Sequence, residues 1–420
     1  MISKKKNHNS FQIISLLLAR VFYSANWFNI ASIFFLIALD LKQDISMLGL
    51  VTASFIIGVG VFQVPAGILA AKYGASKTAV FGILIASFCA LLTGISNDIL
   101  QIAILRFVVG LGMACFFGPS VIMISKYLGK RSEGLGIGLI NSAHAIGGII
   151  GIFGWVMLAQ LFGWRTSLII GGALGLVTGL VLVISALIAR PSIKTHDERI
   201  PIQNVADSLD VATKSPEAGD GITLLGLRQT IFNRSLVILG LTLLSFQAGS
   251  SIILTFVVYY MVSSLKIDLA LAGFIGSLNL IIALLFSPLF GRLYDRTKKA
   301  KNILIISGLA AATSVYGMSV PSLYVLIPSM IVSAVFLSAG FVIVYAEAKR
   351  TSNTQGLNRK YQTLAVSFVN GISLFGAFWI PILFSFSVDH IGFSNAWILG
   401  GIIVLIFILP AFKFKQELAR

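Results

Sequence analysis

Charge is what this sequence has least of. Only 11% of its 420 residues are Asp, Glu, Lys or Arg, against roughly 25% in an ordinary soluble domain, while 57% are apolar and the mean hydropathy is +0.95. That balance excludes a soluble globular protein. Cysteine is nearly missing: Cys89 and Cys115 both lie in apolar stretches, so neither a disulfide framework nor a thiolate metal site can be assembled, and no cofactor or metal is expected. Acids are the scarcer charge, 15 against 31 Lys and Arg, for a net +16. In a soluble chain such a surplus would point to nucleic acid; here its placement gives another account.

Reading the apolar runs predicts twelve spans, at 11–39, 46–71, 77–96, 99–125, 135–161, 165–189, 235–263, 269–294, 302–319, 321–346, 362–386 and 393–412, each near or above the roughly 20 residues that cross a bilayer as a helix. With the N-terminus cytoplasmic, the inside segments carry 26 of the 31 basic residues and the outside ones three, Lys42, Arg165 and Lys266. Basic residues collect on cytoplasmic loops, so a multi-pass protein of the cell membrane with both termini cytoplasmic is expected, and nucleic acid is not needed. The first apolar run far exceeds the apolar region of a signal peptide and is expected to remain as a span.

One long break interrupts this pattern, at 190–234, where Pro191, Pro201 and Pro216 stand among charged residues. It reads as a cytoplasmic linker between six-helix bundles at 1–189 and 235–420; within it, 203–213 reads equally as a short amphipathic helix on the membrane surface or as disorder. The bundles repeat each other. Phe162-Gly163-Trp164-Arg165 aligns with Ile391-Gly392-Phe393-Ser394 at an offset of 229, and the stretch from Gly67 to Lys72 aligns with that from Gly291 to Arg296 at 224. Halves duplicated about an axis along the membrane normal belong to a transporter architecture that rocks about a midplane site.

Three motifs carry a resemblance. GRLYDRTKKAK, Gly291 to Lys301, fits a Gly-x-x-x-Asp-Arg-x-x-x-x-Lys loop, with GILAAKYGASK, Gly67 to Lys77, as its weaker copy; Arg106 with Gly110 and Gly112 fits Arg-x-x-x-Gly-x-Gly; and Gly163-Trp164-Arg165 precedes span 6. Over essentially its whole length the chain thus resembles the major facilitator superfamily, with no subfamily signature. The resemblance implies an all-α fold of twelve transmembrane helices in two pseudo-two-fold-related halves. It also implies a gating role for Gly67, Lys72, Gly291, Asp295 and Arg296, weighted to the second loop because Ala71 stands where the first would carry its acid. Glu347, at the inner end of span 10, reads either as a surface acid in a basic field or as an ion-pair partner of Arg292 or Arg296.

Enzyme chemistry finds little support. Gly134-Leu135-Gly136-Ile137-Gly138 opens a membrane helix rather than following a strand, as a phosphate loop would require. Residues at helical spacing, Gly134, Gly138, Asn141, Ala145 and Gly148 in span 5, Gly110, Ala114 and Gly118 in span 4, and Gly171, Gly175 and Gly179 in span 6, suit close helix packing.

Ionisable residues within the membrane are costly and mark function, and three fall in spans: Arg20, Arg106 and His144. Arg20 shares a helix face with Tyr23, Ser24 and Trp27, a mix suited to a wet cavity; snorkelling for Arg20 and carbonyl binding for Arg106 are the structural alternatives. None of the fifteen acids falls at mid-membrane, so a carboxylate proton relay is unsupported and a cationic solute would meet no counter-charge. Arg20, Tyr23, Trp27, Arg106, Asn141, His144 and Gln247 form the candidate binding set. The expected function is secondary transport of a small organic or inorganic anion by a monomer, with a coupling proton or counter-ion and the lipid bilayer as its other partners. Efflux of lipophilic compounds, lipid flipping and a non-transporting sensor are the competing readings.

Overall fold

The computed structural model describes residues 2–128, 133–189, 232–354 and 359–414. The segment 203–213 lies outside them, as does most of the 190–234 linker. In lipid each backbone N–H and C=O must be satisfied within its own segment, and the described residues are helical nearly throughout, without strands. The helices are α1 Ile2–Leu41, α2 Ser46–Tyr73, α3 Ala75–Gly94, α4 Ile99–Leu128, α5 Glu133–Ile149, α6 Trp155–Phe162, α7 Trp164–Ala189, α8 Arg234–Ser263, α9 Leu269–Thr297, α10 Ala300–Gly317, α11 Leu323–Thr354, α12 Arg359–Ala377 and α13 Ile380–Ile408. Among the described residues ten helices are long and apolar enough to cross a membrane. Ala300–Gly317, which begins with Lys301 and Asn302 in its first turn, is not among the ten, and the last of them is a single run of 46 residues, Phe368–Lys413, broken within α13 at Gly392.

Two expectations about spans need adjusting. Span 5 is not one regular helix: a π-helical turn, Ile150–Gly154, separates α5 from α6. Spans 11 and 12 meet at Gly392 rather than across a loop, because φ +78° and ψ +167° turn the chain within one residue.

The internal repeat is written into the backbone. The positive-φ residues of the described chain pair off at the two sequence offsets: Lys42 with Lys266 and Gly74 with Lys298 at 224, Gly163 with Gly392 at 229. Packing repeats too. In the first half α2 lies on α4, α3 on α4 and α7, and α1 on α5 and α7; in the second, α9 lies on α11, α10 on α11 and α13, and α8 on α12 and α13.

Glycine sets the closest of these approaches. A Cβ at Gly147 or Gly151 would strike the Val21 or Ala25 carbonyl oxygen of α1, and one at Gly58 would strike that of Phe107 in α4. Of the expected packing glycines, Gly110, Gly171, Gly175 and Gly179 do meet neighbouring helices, but Gly118 has open space beside it. Gly147 on α5 and Gly151 in the π-helical turn approach the α1 backbone most closely, while the expected Gly148 meets Phe28 of α1 and Leu280.

We call the ends bearing the basic loops inner and the others outer. The halves touch toward their outer ends. Ser46 N–H donates to Asp389 Oδ2 at 3.1 Å and Ser385 Oγ to the Ser46 carbonyl at 3.3 Å. Gly49 sits against Pro381 and Ser385, Gly276 against Ile152, and Gly148 against Leu280, while the ring pairs Phe35–Tyr259 and Phe153–Phe274 lie 5.9 and 5.7 Å apart. One hydrophobic cluster runs through both halves, the buried residues of another belong to the first half, and Trp27 packs on both.

Candidate functional site

The site begins on α1, whose polar residues recur along one stretch: Arg20, Tyr23, Ser24, Asn26, Asn29 and Ser32, all buried. The outer part of that stretch is spent on holding helices. Asn29 Nδ2 donates to Asn26 Oδ1 at 3.3 Å, and Ser32 Oγ to the Gly151 carbonyl at 3.0 Å. Ser24 Oγ donates to the His144 carbonyl at 2.6 Å. The two serine bonds fix α1 against α5 and against the π-helical turn that follows it.

Arg20 is different. Only 4% of its surface is exposed, and its Nε and Nη1 are buried without a hydrogen-bond partner. Its guanidinium lies 4.4 Å from the Tyr23 ring and 5.0 Å from the Phe117 ring, contacts of the cation–π kind that favour a desolvated cation. No carboxylate within salt-bridge distance compensates it among the described residues. The snorkelling alternative does not apply, because the head group is enclosed rather than exposed.

Tyr23 is the hub. Its ring lies 5.8 Å from both Trp27 and Phe116, 6.3 Å from Phe117 and 6.4 Å from His144. His144 also meets Phe28 at 6.2 Å, and its Nδ1 is buried without a partner. Three positions before it on the same helix face, Asn141 is exposed. Phe117, Trp27 and His144 are half-buried, whereas Tyr23 and Phe116 are enclosed. Arg20, Tyr23, Trp27 and His144 therefore come together, with Asn141 at their margin.

Arg106 does not join them. It is equally buried, but its Nη2 donates to the Asn26 carbonyl at 2.8 Å and its guanidinium lies over Phe55 at 4.5 Å. This is the carbonyl-binding alternative, a tie between α4 and α1. Gln247 is half-buried in the middle of α8, in the opposite half.

Of the gating set, Lys72, Asp295 and Arg296 are exposed, and Asp295 pairs with Lys298 at 3.2 Å, one turn along. Gly67 has open space beside it, and Gly291 only a loose contact to Val342. Glu347 departs from both sequence readings, being only 2% exposed. Tyr294 of α9 donates to its Oε1 at 2.5 Å and Arg350 lies 3.5 Å away. In this conformation the link from α11 to α9 is thus made by a phenol, not by Arg292 or Arg296. Tyr294 escaped attention because it occupies a variable position of the Gly291–Lys301 motif. Phe117, Phe116 and Phe28 were missed because phenylalanine in an apolar run carries no periodic signal of its own. The Gly163-Trp164-Arg165 motif gains a physical account: Trp164 Nε1 donates to Asp40 Oδ2 at 3.3 Å and Arg165 pairs with the same oxygen, fastening α7 to the outer end of α1.

Residues 16–346 and 238–419 match the family model of the Major Facilitator Superfamily. The 4-hydroxybenzoate transporter PcaK of Pseudomonas aeruginosa is 29% identical over 34% of this chain and 32% of its own. The probable sulfoacetate transporter SauU of Cupriavidus necator is 28% identical over 34% and 33%, so these matches span about a third of the relatives' length. The uncharacterized MFS-type transporter MJ1560 of Methanocaldococcus jannaschii is 24% identical, over 83% of this chain and 84% of that one. Among solved structures, the inward-facing, occupied form of a bacterial homolog to the human lysosomal transporter Spinster superposes with a TM-score of 0.74 at 15% identity, covering 97% of each chain.

Proposed function

This chain belongs to the Major Facilitator Superfamily, and on that premise we propose that it moves a small anion across the membrane by alternating access, with Arg20 as the anion's first contact. It is a multi-pass membrane protein and a transporter of small solutes rather than an enzyme. In our reading twelve spans form two halves, 1–189 and 235–420, joined by a cytoplasmic linker at 190–234, with both termini cytoplasmic and a monomer as the working unit.

The observation that carries the anion reading is the buried Arg20 guanidinium, which meets the Tyr23 side chain but leaves two of its nitrogens unpartnered. An isolated charge in a low-dielectric interior is strongly unfavourable unless paired and hydrogen-bonded, and the unpartnered Nε and Nη1 of Arg20 leave that pairing to a ligand. A planar guanidinium fork matches a carboxylate or phosphate edge, and such charge-assisted bonds are roughly twice as strong as neutral ones. Arg106, whose Nη2 is engaged by Asn26, serves structure. Relatives named for 4-hydroxybenzoate, sulfoacetate and sialic acid support an acidic solute. His144, with its free Nδ1 on the same aromatic hub, is assigned to a coupling proton.

The phenyl ring of Phe117 covers Arg20, so the anion reaches it when that side chain turns aside. The outer contacts between the halves leave the inner side as the approach. A thermal-shift panel of carboxylates, sulfonates, sugars and organic cations on the purified protein tests the reading, because a ligand of the folded state raises the melting temperature by mass action. Acids should raise it and cations should not. Stabilisation by sugars or cations alone would contradict an anion site.

A further inference from the structure

An anion site of this kind still leaves open what the body of the anion touches, and the residues around Arg20 speak to that. One cationic group stands on the aromatic hub. Arg106, the second membrane arginine, is tied through Nη2 to the Asn26 carbonyl and lies over Phe55, and Nε is its one buried nitrogen without a partner, so a second carboxylate on the ligand would find no free two-pronged partner. Such a group is rejected because its desolvation is uncompensated. Beyond the guanidinium the lining is aromatic. Phe117 and Trp27 are both half-buried and both contact the Tyr23 ring, which itself touches Arg20. Polar groups are few there, His144 and the exposed Asn141. Beside Phe117, Gly118 is exposed and has open space where a side chain would stand.

Resting on the anion reading above, we infer that the preferred solute is an aromatic monocarboxylate, its carboxylate on Arg20 and its ring against Phe117 and Trp27. A flat ring gains offset or edge-on contacts with these two side chains that a saturated or branched body of the same size does not. It also fits the motion the site requires. When Phe117 turns away to uncover Arg20, a ring bound in its place restores the aromatic contact that the guanidinium loses. The single charge follows from the single arginine on the aromatic hub, and the flat body from the rings.

Binding of benzoate, cyclohexanecarboxylate, acetate, phthalate and benzamide to the purified full-length protein decides the matter by titration calorimetry. Benzoate should bind tightest, with cyclohexanecarboxylate weaker by about threefold to tenfold, the range that aromatic pairing supplies, and acetate, phthalate and benzamide weaker still. Trp27→Leu and Phe117→Leu, each checked for an unchanged melting temperature, should bring benzoate and cyclohexanecarboxylate to equal affinity while Arg20→Gln removes both. Should either variant fail to fold, the ranking on the unaltered protein remains decisive. If acetate or phthalate binds as tightly as benzoate and loses its affinity in Arg20→Gln, the aromatic inference falls while the anion site stands. If no carboxylate depends on Arg20, both fall.

Discussion

Arg106 on α4 donates from Nη2 to the Asn26 carbonyl of α1 across 2.8 Å and leaves Nε unbonded, whereas Arg20, buried to the same extent, leaves both Nε and Nη1 unbonded. One membrane arginine ties two helices and the other does not, and stability measurements should separate them. Removing a buried charged donor costs about 1.5–3 kcal/mol when its acceptor is left behind, so Arg106→Ala should lower the melting temperature in detergent whether or not solute is present. Arg20→Gln removes a charge that the Tyr23 and Phe117 rings face but no carboxylate pairs, and should cost less stability than Arg106→Ala. Equal losses in the two variants would contradict this division.

The inner end of the second half supplies another pair. The Tyr294 hydroxyl holds the buried Glu347 carboxylate and ties α9 to α11. Residues that share one hydrogen-bond network couple by about 0.5–3 kcal/mol. A thermodynamic cycle of Tyr294→Phe, Glu347→Gln and the double variant should give coupling in that range, with Glu347→Gln the costlier single change because Arg350 also approaches the carboxylate. Additive effects would show that the bond contributes nothing.

The paired turns make a third prediction. Gly163 and Gly392 hold φ of +81° and +78° with ψ of +156° and +167°, a region open essentially to glycine alone, where another residue costs on the order of 1–3 kcal/mol. Gly163→Ala and Gly392→Ala should each lose stability in that range, while Lys42→Gly and Lys266→Gly, at φ +51° and +56°, should be neutral or stabilising. Tolerance of alanine at both glycines would mean that the turns relax freely.

Much of this was legible in the sequence, and the reason is period. Apolar runs longer than a bilayer crossing, the basic-loop asymmetry and two offsets near 224 residues are statements about backbone and solvent, which dominate in lipid. The offsets even mark the positive-φ turns, Gly163 with Gly392 among them. Arg20, Tyr23, Trp27 and His144 were found because polar and amphipathic residues stand out against an apolar background. What stayed hidden depended on side-chain direction. Nothing in composition tells Arg106, which is used by a carbonyl, from Arg20, which is not; nor does spacing place Tyr294 on Glu347 or Phe117 over Arg20.

The gate assignment rests on Asp295, which this conformation leaves exposed and, among the described residues, paired with Lys298 one turn along. We assign it to the contact that holds the inner ends together in the alternate state. Asp295→Asn should then slow uptake into proteoliposomes severely, and Ala71→Asp should be tolerated. Normal flux in Asp295→Asn would contradict the assignment.

The central claim is that Arg20 binds the solute's negative charge, and counterflow in proteoliposomes tests it most directly. With the best acid from the thermal-shift panel as substrate, Arg20→Gln should abolish saturable exchange and Arg20→Lys should weaken it by about tenfold or more, since a lysine keeps the charge but not the two-pronged geometry. Exchange by Arg20→Gln with the affinity of the unaltered protein would contradict the account.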